Sequence, residues 1–188
     1  DHSFYQSEIF VITIFNILDT LKQTATDPDG LPSWFLQLSA PYFAELITDL
    51  VNNSLNQSFV PSQWKQSTIK PISKIPQPTT PSDFRPISLT SVLSRLTERL
   101  VISHYIYPTF SYSTNGLTFQ NQFAFLPTGS TTAVLINMLH IVTELLNCNQ
   151  YVRVIALDFS KAFDTVRHSE LIRKLNKLYI PCNICNWI

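Results

Sequence analysis

The sequence predicts a helix-rich α+β fold, and three observations carry that prediction. Apolar residues recur at helical spacing in several separate segments. One near-continuous apolar run, Tyr151 to Leu157, has the length and β-branched content of a buried strand. Between these, six prolines fall within residues 61–90, which admits short strands and loops but no long helix. Helices and a few strands in this order suggest α+β.

The elements follow in chain order. Phe4 to Leu21 mixes apolar and polar residues and is expected to be a helix. Asp27-Pro28-Asp29-Gly30-Leu31-Pro32 is a turn. From Pro41, residues Tyr42, Phe43, Leu46, Ile47, Leu50, Val51 and Leu55 predict a helix, with Ser39 near its start. Ser67 to Lys70 reads as a short strand. Ser91 to Tyr105 is expected to be helical, with Leu93, Leu96 and Leu100 on one face. Thr131 to Leu146 is expected to be another helix, with Val134, Met138, Val142 and Leu145 aligned and Ser130 or Thr131 as its cap. Tyr151 to Leu157 is expected to be a central strand covered on both faces and ending at Asp158. Helices are then expected over Ser169 to Leu178 and from Pro181 to the last residue. The final helix carries no stop signal, which reads as a chain that continues.

Composition bounds the function classes. With 188 residues, 45% hydrophobic and 14% charged, the chain can bury a sizeable core. The apolar run Ile9 to Leu18 is too short to span a bilayer, and no basic segment with a cleavage site precedes it, so no membrane partner is expected. Three cysteines, Cys148, Cys182 and Cys185, are too few and too clustered for a disulfide framework, which points to an intracellular setting. The formal net charge is zero but segregated. Residues 1–60 hold seven acids and one base, whereas residues 61–104 hold six bases (Lys65, Lys70, Lys74, Arg85, Arg95, Arg99) and two acids. A local basic stretch can attract phosphates in a neutral chain, although it can equally be a solvated face.

Asp158 is the most informative single residue. A carboxylate at the end of a buried strand is held at the rim of a sheet, where a ligand can reach it. Metal-assisted phosphoryl transfer, nucleotide hydrolysis and phosphoacceptor signalling all use that placement. P-loop hydrolysis needs a glycine-rich cradle leading to a lysine, and Gly30, Gly116 and Gly129 are the chain's only glycines. A plain turn-capping aspartate is the structural alternative. The C-x-x-C of Cys182 and Cys185 has too few neighbouring ligands for zinc and is expected to pack a helix end.

The residues around Asp158 carry a resemblance. Asp158-Phe159-Ser160-Lys161-Ala162-Phe163-Asp164 resembles the first catalytic motif of reverse transcriptases. Asp27 to Pro32, Val60-Pro61-Ser62-Gln63-Trp64-Lys65, Asp83-Phe84-Arg85-Pro86-Ile87-Ser88-Leu89-Thr90, and Gln122 to Phe125 with Gly129 to Thr132 resemble, in order, four further blocks of non-LTR (LINE-like) retrotransposon reverse transcriptases. The likeness covers residues 25–188, with residues 1–24 as an N-terminal helical extension. It implies a partial right-hand polymerase, made of fingers plus the first palm strand. A Gln-Gly block and paired aspartates of the Tyr-x-Asp-Asp type do not appear after Asp158.

The resemblance also implies roles. Asp158 would be the catalytic carboxylate and, with the Phe159 carbonyl, would bind Mg²⁺, two ions in a complete enzyme. Lys74 and Arg85 would grip the incoming triphosphate, with Lys70 an alternative to Lys74. Lys161 would meet phosphate or be solvated, and Phe163 would gate the sugar, with core packing as its alternative. The implied partners are an RNA template, a DNA primer and deoxynucleoside triphosphates. The implied activity is RNA-directed DNA polymerisation, with residues 1–188 expected to be inactive alone. A non-catalytic nucleic-acid-binding remnant is the alternative. Many relatives carry Arg where Gly129 stands, so a template contact from that position is not expected.

Overall fold

Ile14 and Leu18 lie one helical turn apart, and both are fully buried where Val11–Asp19 forms helix α1. The computed structural model describes residues 8–23, 30–110, 121–126, 129–159 and 162–188. The chain divides into two units. One comprises residues up to Ile106 together with Ile180–Ile188, and the other Tyr107–Tyr179.

The first unit is organised on α3 (Ala40–Asn56), whose buried Ala44, Ile47, Val51 and Leu55 form one apolar stripe. Pro41 sits in its first turn, where a missing N–H costs nothing. Helix α1 packs on it, and Asn52 fixes the join. Its amide oxygen accepts from the Ile9 N–H and its amide nitrogen donates to the Ile9 carbonyl, both at 2.9 Å. A short helix α2 (Ser33–Leu38) precedes α3 and had no periodic signal long enough to predict it. Ser39 does not cap α3 with its side chain, because its hydroxyl donates back to the Phe35 carbonyl at 2.6 Å.

After α3, Trp64 is buried from a 3-10 turn at Ser62–Lys65. Strands β1 (Ser67–Ser73) and β2 (Phe84–Thr90) then form an antiparallel hairpin. Pro71 and Pro86 face each other in this ladder, which a two-stranded sheet tolerates because both its strands are edges. Helix α4 (Val92–Val101) begins at Ser91, whose hydroxyl accepts from the Ser94 N–H at 3.2 Å. It buries Val92, Leu96 and Leu100 and runs on into a π-helical turn at Ile102–Ile106, shorter in its regular part than expected.

The last helix of the chain, α8 (Cys182–Trp187), belongs to this same unit. Its Trp187 indole N–H donates to the Ser54 hydroxyl at 2.9 Å, and that hydroxyl donates to the Phe59 carbonyl at 2.6 Å. The Asn183 side chain reaches the Leu55 carbonyl at 3.2 Å.

The second unit holds α5 (Tyr107–Phe110), α6 (Thr131–Cys148) and α7 (His168–Leu175). Ser130 caps α6 by accepting from the Ala133 N–H at 3.0 Å. By length and composition alone α6 could cross a membrane, with 18 residues and a mean hydropathy of 1.3. The expectation of no membrane partner rests on the run Ile9 to Leu18 and does not address this helix. Inside α6, His140 Nε2 lies 3.3 Å from Glu144 Oε1, one turn away on a polar edge.

The predicted strand at Tyr151 to Leu157 is corrected. These residues have no regular secondary structure, and Leu157 is 86% exposed. A strand exists only where its N–H and C=O groups find a neighbouring strand. Among the described residues the only ladder is β1–β2, so the apolar run has no partner. The chain is α+β by its helices and this hairpin.

Candidate nucleotide and nucleic-acid interface

The β1–β2 register decides which basic side chains share a surface. Ile72 faces Arg85 and Lys70 faces Ile87. Side chains alternate along each strand, so Lys70, Ile72, Arg85 and Ile87 lie on one face of the hairpin. Lys70 and Arg85 are diagonal neighbours there, roughly 7–8 Å apart at the backbone. Both are exposed. Two cations over two isoleucines form a solvent-facing surface able to meet a polyphosphate.

Lys74 is used differently. Its ammonium donates to the Ser82 carbonyl at 2.7 Å, and its N–H donates to the Asp83 carbonyl at 2.7 Å. Both bonds close the loop between the strands. Asp83 completes that closure. Its carboxylate accepts from the N–H groups of Thr80 at 2.8 Å and Thr79 at 2.9 Å, in a capping box with Thr80. These backbone bonds, Thr80 first and then Thr79, hold the Asp83 carboxyl below its ordinary pKa, with the Thr80 hydroxyl and the Lys74 charge adding to them. The Asp83 of the Asp-Phe-Arg-Pro block is therefore the loop clamp beside Arg85. Its spacing, with Thr80 three residues earlier, was the available signal for that role.

Asp158, Phe159 and Phe163 belong to the second unit and are exposed, the Phe159 ring 80% and the Phe163 ring 85%. Lys161 lies outside the described residues. Asp27, Pro28 and Asp29 of the Asp27 to Pro32 block also lie outside them, and Gly30 has a φ of +70°, as a glycine turn requires. Gly129 lies where a Cβ would come 1.7 Å from the Phe123 carbonyl oxygen, so no side chain fits there without moving backbone.

Asp158 and a main-chain carbonyl are hard oxygen donors of the kind Mg²⁺ takes. Among the described residues, however, no three His, Cys, Asp or Glu side chains gather closely enough to hold a metal ion. The cysteines are free, and burial followed by the neighbouring Cys182 pushes the Cys185 thiol up in pKa, as in a packed helix end.

Comparison with known proteins bears on this surface. The family described as reverse transcriptase (RNA-dependent DNA polymerase) matches residues 72–188, which include β2, α6 and Asp158. The chain is 32% identical over 141 residues to the Drosophila melanogaster protein named "Probable RNA-directed DNA polymerase from transposon BS", covering 74% of this chain and 15% of that protein. It is 27% identical over 158 residues to the RNA-directed DNA polymerase from mobile element jockey of the same species, covering 84% of this chain and 17% of the relative. It is 25% identical over 171 residues to a Pol polyprotein from the type-1 retrotransposable element R2 of Nasonia vitripennis, covering 91% and 16%. The chain thus spans about one sixth of the length of these relatives.

Proposed function

The chain belongs to the reverse transcriptase (RNA-dependent DNA polymerase) family, and from that premise we propose that it forms the fingers and the start of the palm of a non-LTR retrotransposon polymerase. The reaction of the complete enzyme is addition of deoxynucleotides to a DNA primer on an RNA template, with Mg²⁺ as cofactor. On this reading residues 25–188 are the polymerase portion, residues 1–24 are an N-terminal helical extension, and the setting is intracellular.

One observation carries the reading within the chain, namely the hairpin that sets Arg85 and Lys70 on one exposed face beside a clamped loop. An arginine fork can take two phosphate oxygens of a triphosphate, and a lysine adds a point charge. Lys70 fits the grip better than Lys74, whose ammonium is engaged by Ser82. Asp158 is the carboxylate this chain brings to the metals, with the Phe159 carbonyl beside it. Lys161 meets phosphate, and Phe163 bars a 2′-hydroxyl.

A second reading, a nucleic-acid-binding remnant without catalysis, draws on the absence of a metal-ligand cluster among the described residues. Primer extension decides between them. Residues 1–188 joined to the palm and thumb of a relative should extend a DNA primer on an RNA template. A joined protein that binds primer and template but never extends would establish the remnant.

A further inference from the structure

We infer that Cys182 and Cys185, on the outward face of α8, are a dithiol that closes to a reversible disulfide by exchange with a small-molecule disulfide of the glutathione class. Cys182 is the attacking thiol and Cys185 the resolving one.

The helix sets the spacing. α8 begins at Cys182, and the N–H groups of Ile184 and Cys185 both donate to the Pro181 carbonyl at 3.0 Å, which closes the first turn. Residues three apart on such a turn have Cα atoms roughly 5 Å apart, from a rise of about 1.5 Å per residue and a radius of about 2.3 Å. A disulfide takes Cα separations of about 4.4–6.8 Å. Both thiols are free. They also sense each other, because burial first and then the Cys182 thiol push the Cys185 thiol up in pKa.

The anchors of α8 leave the pair clear. Trp187 donates to Ser54 and Asn183 to the Leu55 carbonyl, so that side of the helix meets α3. Ile184 is buried on the same side. At about 100° per residue, Asn183, Ile184 and Trp187 share one arc, and Cys182 and Cys185 lie about 60° apart on the opposite one. A bond between the two sulfurs therefore closes without undocking the helix.

The two thiols are unequal. Cys182 is exposed, whereas Cys185 is half-buried and its thiol donates to the Ile180 carbonyl at 3.8 Å, which points it back towards the helix start. Exchange needs a thiolate with access to the incoming disulfide, and Cys182 has that access. Its thiolate attacks one sulfur of the small disulfide. The old S–S bond breaks, and one small thiolate leaves and takes a proton. Cys185 then gives its proton to solvent and attacks the Cys182 sulfur, expelling the second small thiol. The protein dithiol is oxidised to a disulfide and the small disulfide is reduced to two thiols; excess thiol runs the exchange backwards. A transient disulfide of this kind suits an intracellular protein, where a permanent one does not persist.

The test uses residues 1–188 with Cys148→Ser, so that the α8 pair holds all the thiols. The protein is equilibrated with oxidised and reduced glutathione at a series of ratios, quenched and weighed intact. Both thiols should be lost together, with no glutathione adduct retained, and excess reduced glutathione should restore both. Cys185→Ser should accumulate a glutathione adduct on Cys182, and Cys182→Ser should acquire its adduct more slowly. The Trp187 indole N–H signal should persist in the oxidised protein. Where Cys185→Ser does not fold, Cys185→Ala takes its place. Separate adducts on both cysteines of the parent overturn the inference, as do disulfide-linked dimers or thiols that survive in a folded parent at every ratio. Faster adduct formation in Cys182→Ser than in Cys185→Ser overturns the two roles. Loss of the Trp187 signal on closure overturns the outward placement.

Discussion

Lys70 and Arg85 stand on the same face of the β1–β2 hairpin as diagonal neighbours across the ladder, whereas Lys74 turns its ammonium into the loop at Ser82. In the joined enzyme, Arg85→Ala should therefore raise KM for deoxynucleotide by roughly 10-fold to 100-fold, the loss of charged hydrogen bonds of about 1.5–3 kcal/mol. Lys70→Ala should have a smaller effect in the same direction. Lys74→Ala should chiefly loosen the loop, visible as faster amide exchange at Lys74 and its neighbours. Steady-state kinetics with amide exchange separates the three. A Lys74→Ala protein with intact exchange but the larger nucleotide defect would return the grip to Lys74.

The clamp at Asp83 makes the hairpin loop sensitive to acid. Its carboxyl is held below the ordinary aspartate pKa by the Thr80 and Thr79 amides. A depressed folded pKa contributes stability that is full above the unfolded value of about 4. That contribution is lost as pH falls through the lower folded value. Amide protection at Thr79 and Thr80 should therefore hold at neutral pH and collapse only below the ordinary carboxylate range. Asp83→Asn should remove this pH dependence. A titration of Asp83 by NMR at or above the ordinary value would show that the clamp is not formed.

How much of this was legible in the sequence follows from where periodicity meets packing. α3 and α6 were readable because their apolar residues repeat over many turns, and of the two caps expected for α6, Ser130 or Thr131, it is Ser130 that forms. The strand at Ser67 was readable, but its partner was hidden. Asp83 to Thr90 contains Pro86, which argues against a strand except at an edge, and both strands here are edges. Tyr151 to Leu157 has strand composition without a strand neighbour, and composition cannot supply one. The shared face of Lys70 and Arg85 needed the register, which no single segment encodes.

Trp187 ties the end of the chain to α3 through Ser54. Trp187→Phe keeps most of the ring but removes the indole donor. Ser54 still donates to Phe59, so the cost should be about 0.5–1.5 kcal/mol. Trp187→Ala should cost about 3–5 kcal/mol, because a nearly buried aromatic side chain is lost. Urea unfolding of both variants measures the difference. Equal costs would mean that the hydrogen bond, and not the ring, holds α8 in place.

Phe163 is 85% exposed, which is more than a core residue shows within its unit. In the joined enzyme Phe163→Val should raise ribonucleotide incorporation relative to deoxynucleotide, because a smaller side chain leaves room for the 2′-hydroxyl. The same substitution in residues 1–188 should leave stability within about 0.5 kcal/mol, as for an exposed site. A destabilised chain with an unchanged incorporation ratio would make Phe163 a packing residue.

Asp158 gives the sharpest separation between a polymerase and a remnant. Two metal ions about 3.5–4 Å apart need several oxygen ligands around both. Residues 1–188 carry Asp158 without a following Tyr-x-Asp-Asp pair. Residues 1–188 should therefore show no primer extension at any Mg²⁺ concentration. The joined protein should extend, and there Asp158→Asn should abolish extension, because a neutral amide keeps the shape but loses the charge that attracts the cations. The same substitution should leave the fold of residues 1–188 unchanged, since Asp158 is exposed and lies outside any helix or strand. Asp164→Asn should leave extension measurable, since Asp164 is exposed and is not among the residues expected to hold the metals. Extension by residues 1–188 alone would show a complete metal site within this chain. A joined enzyme that still extends with Asp158→Asn would move the catalytic carboxylate elsewhere.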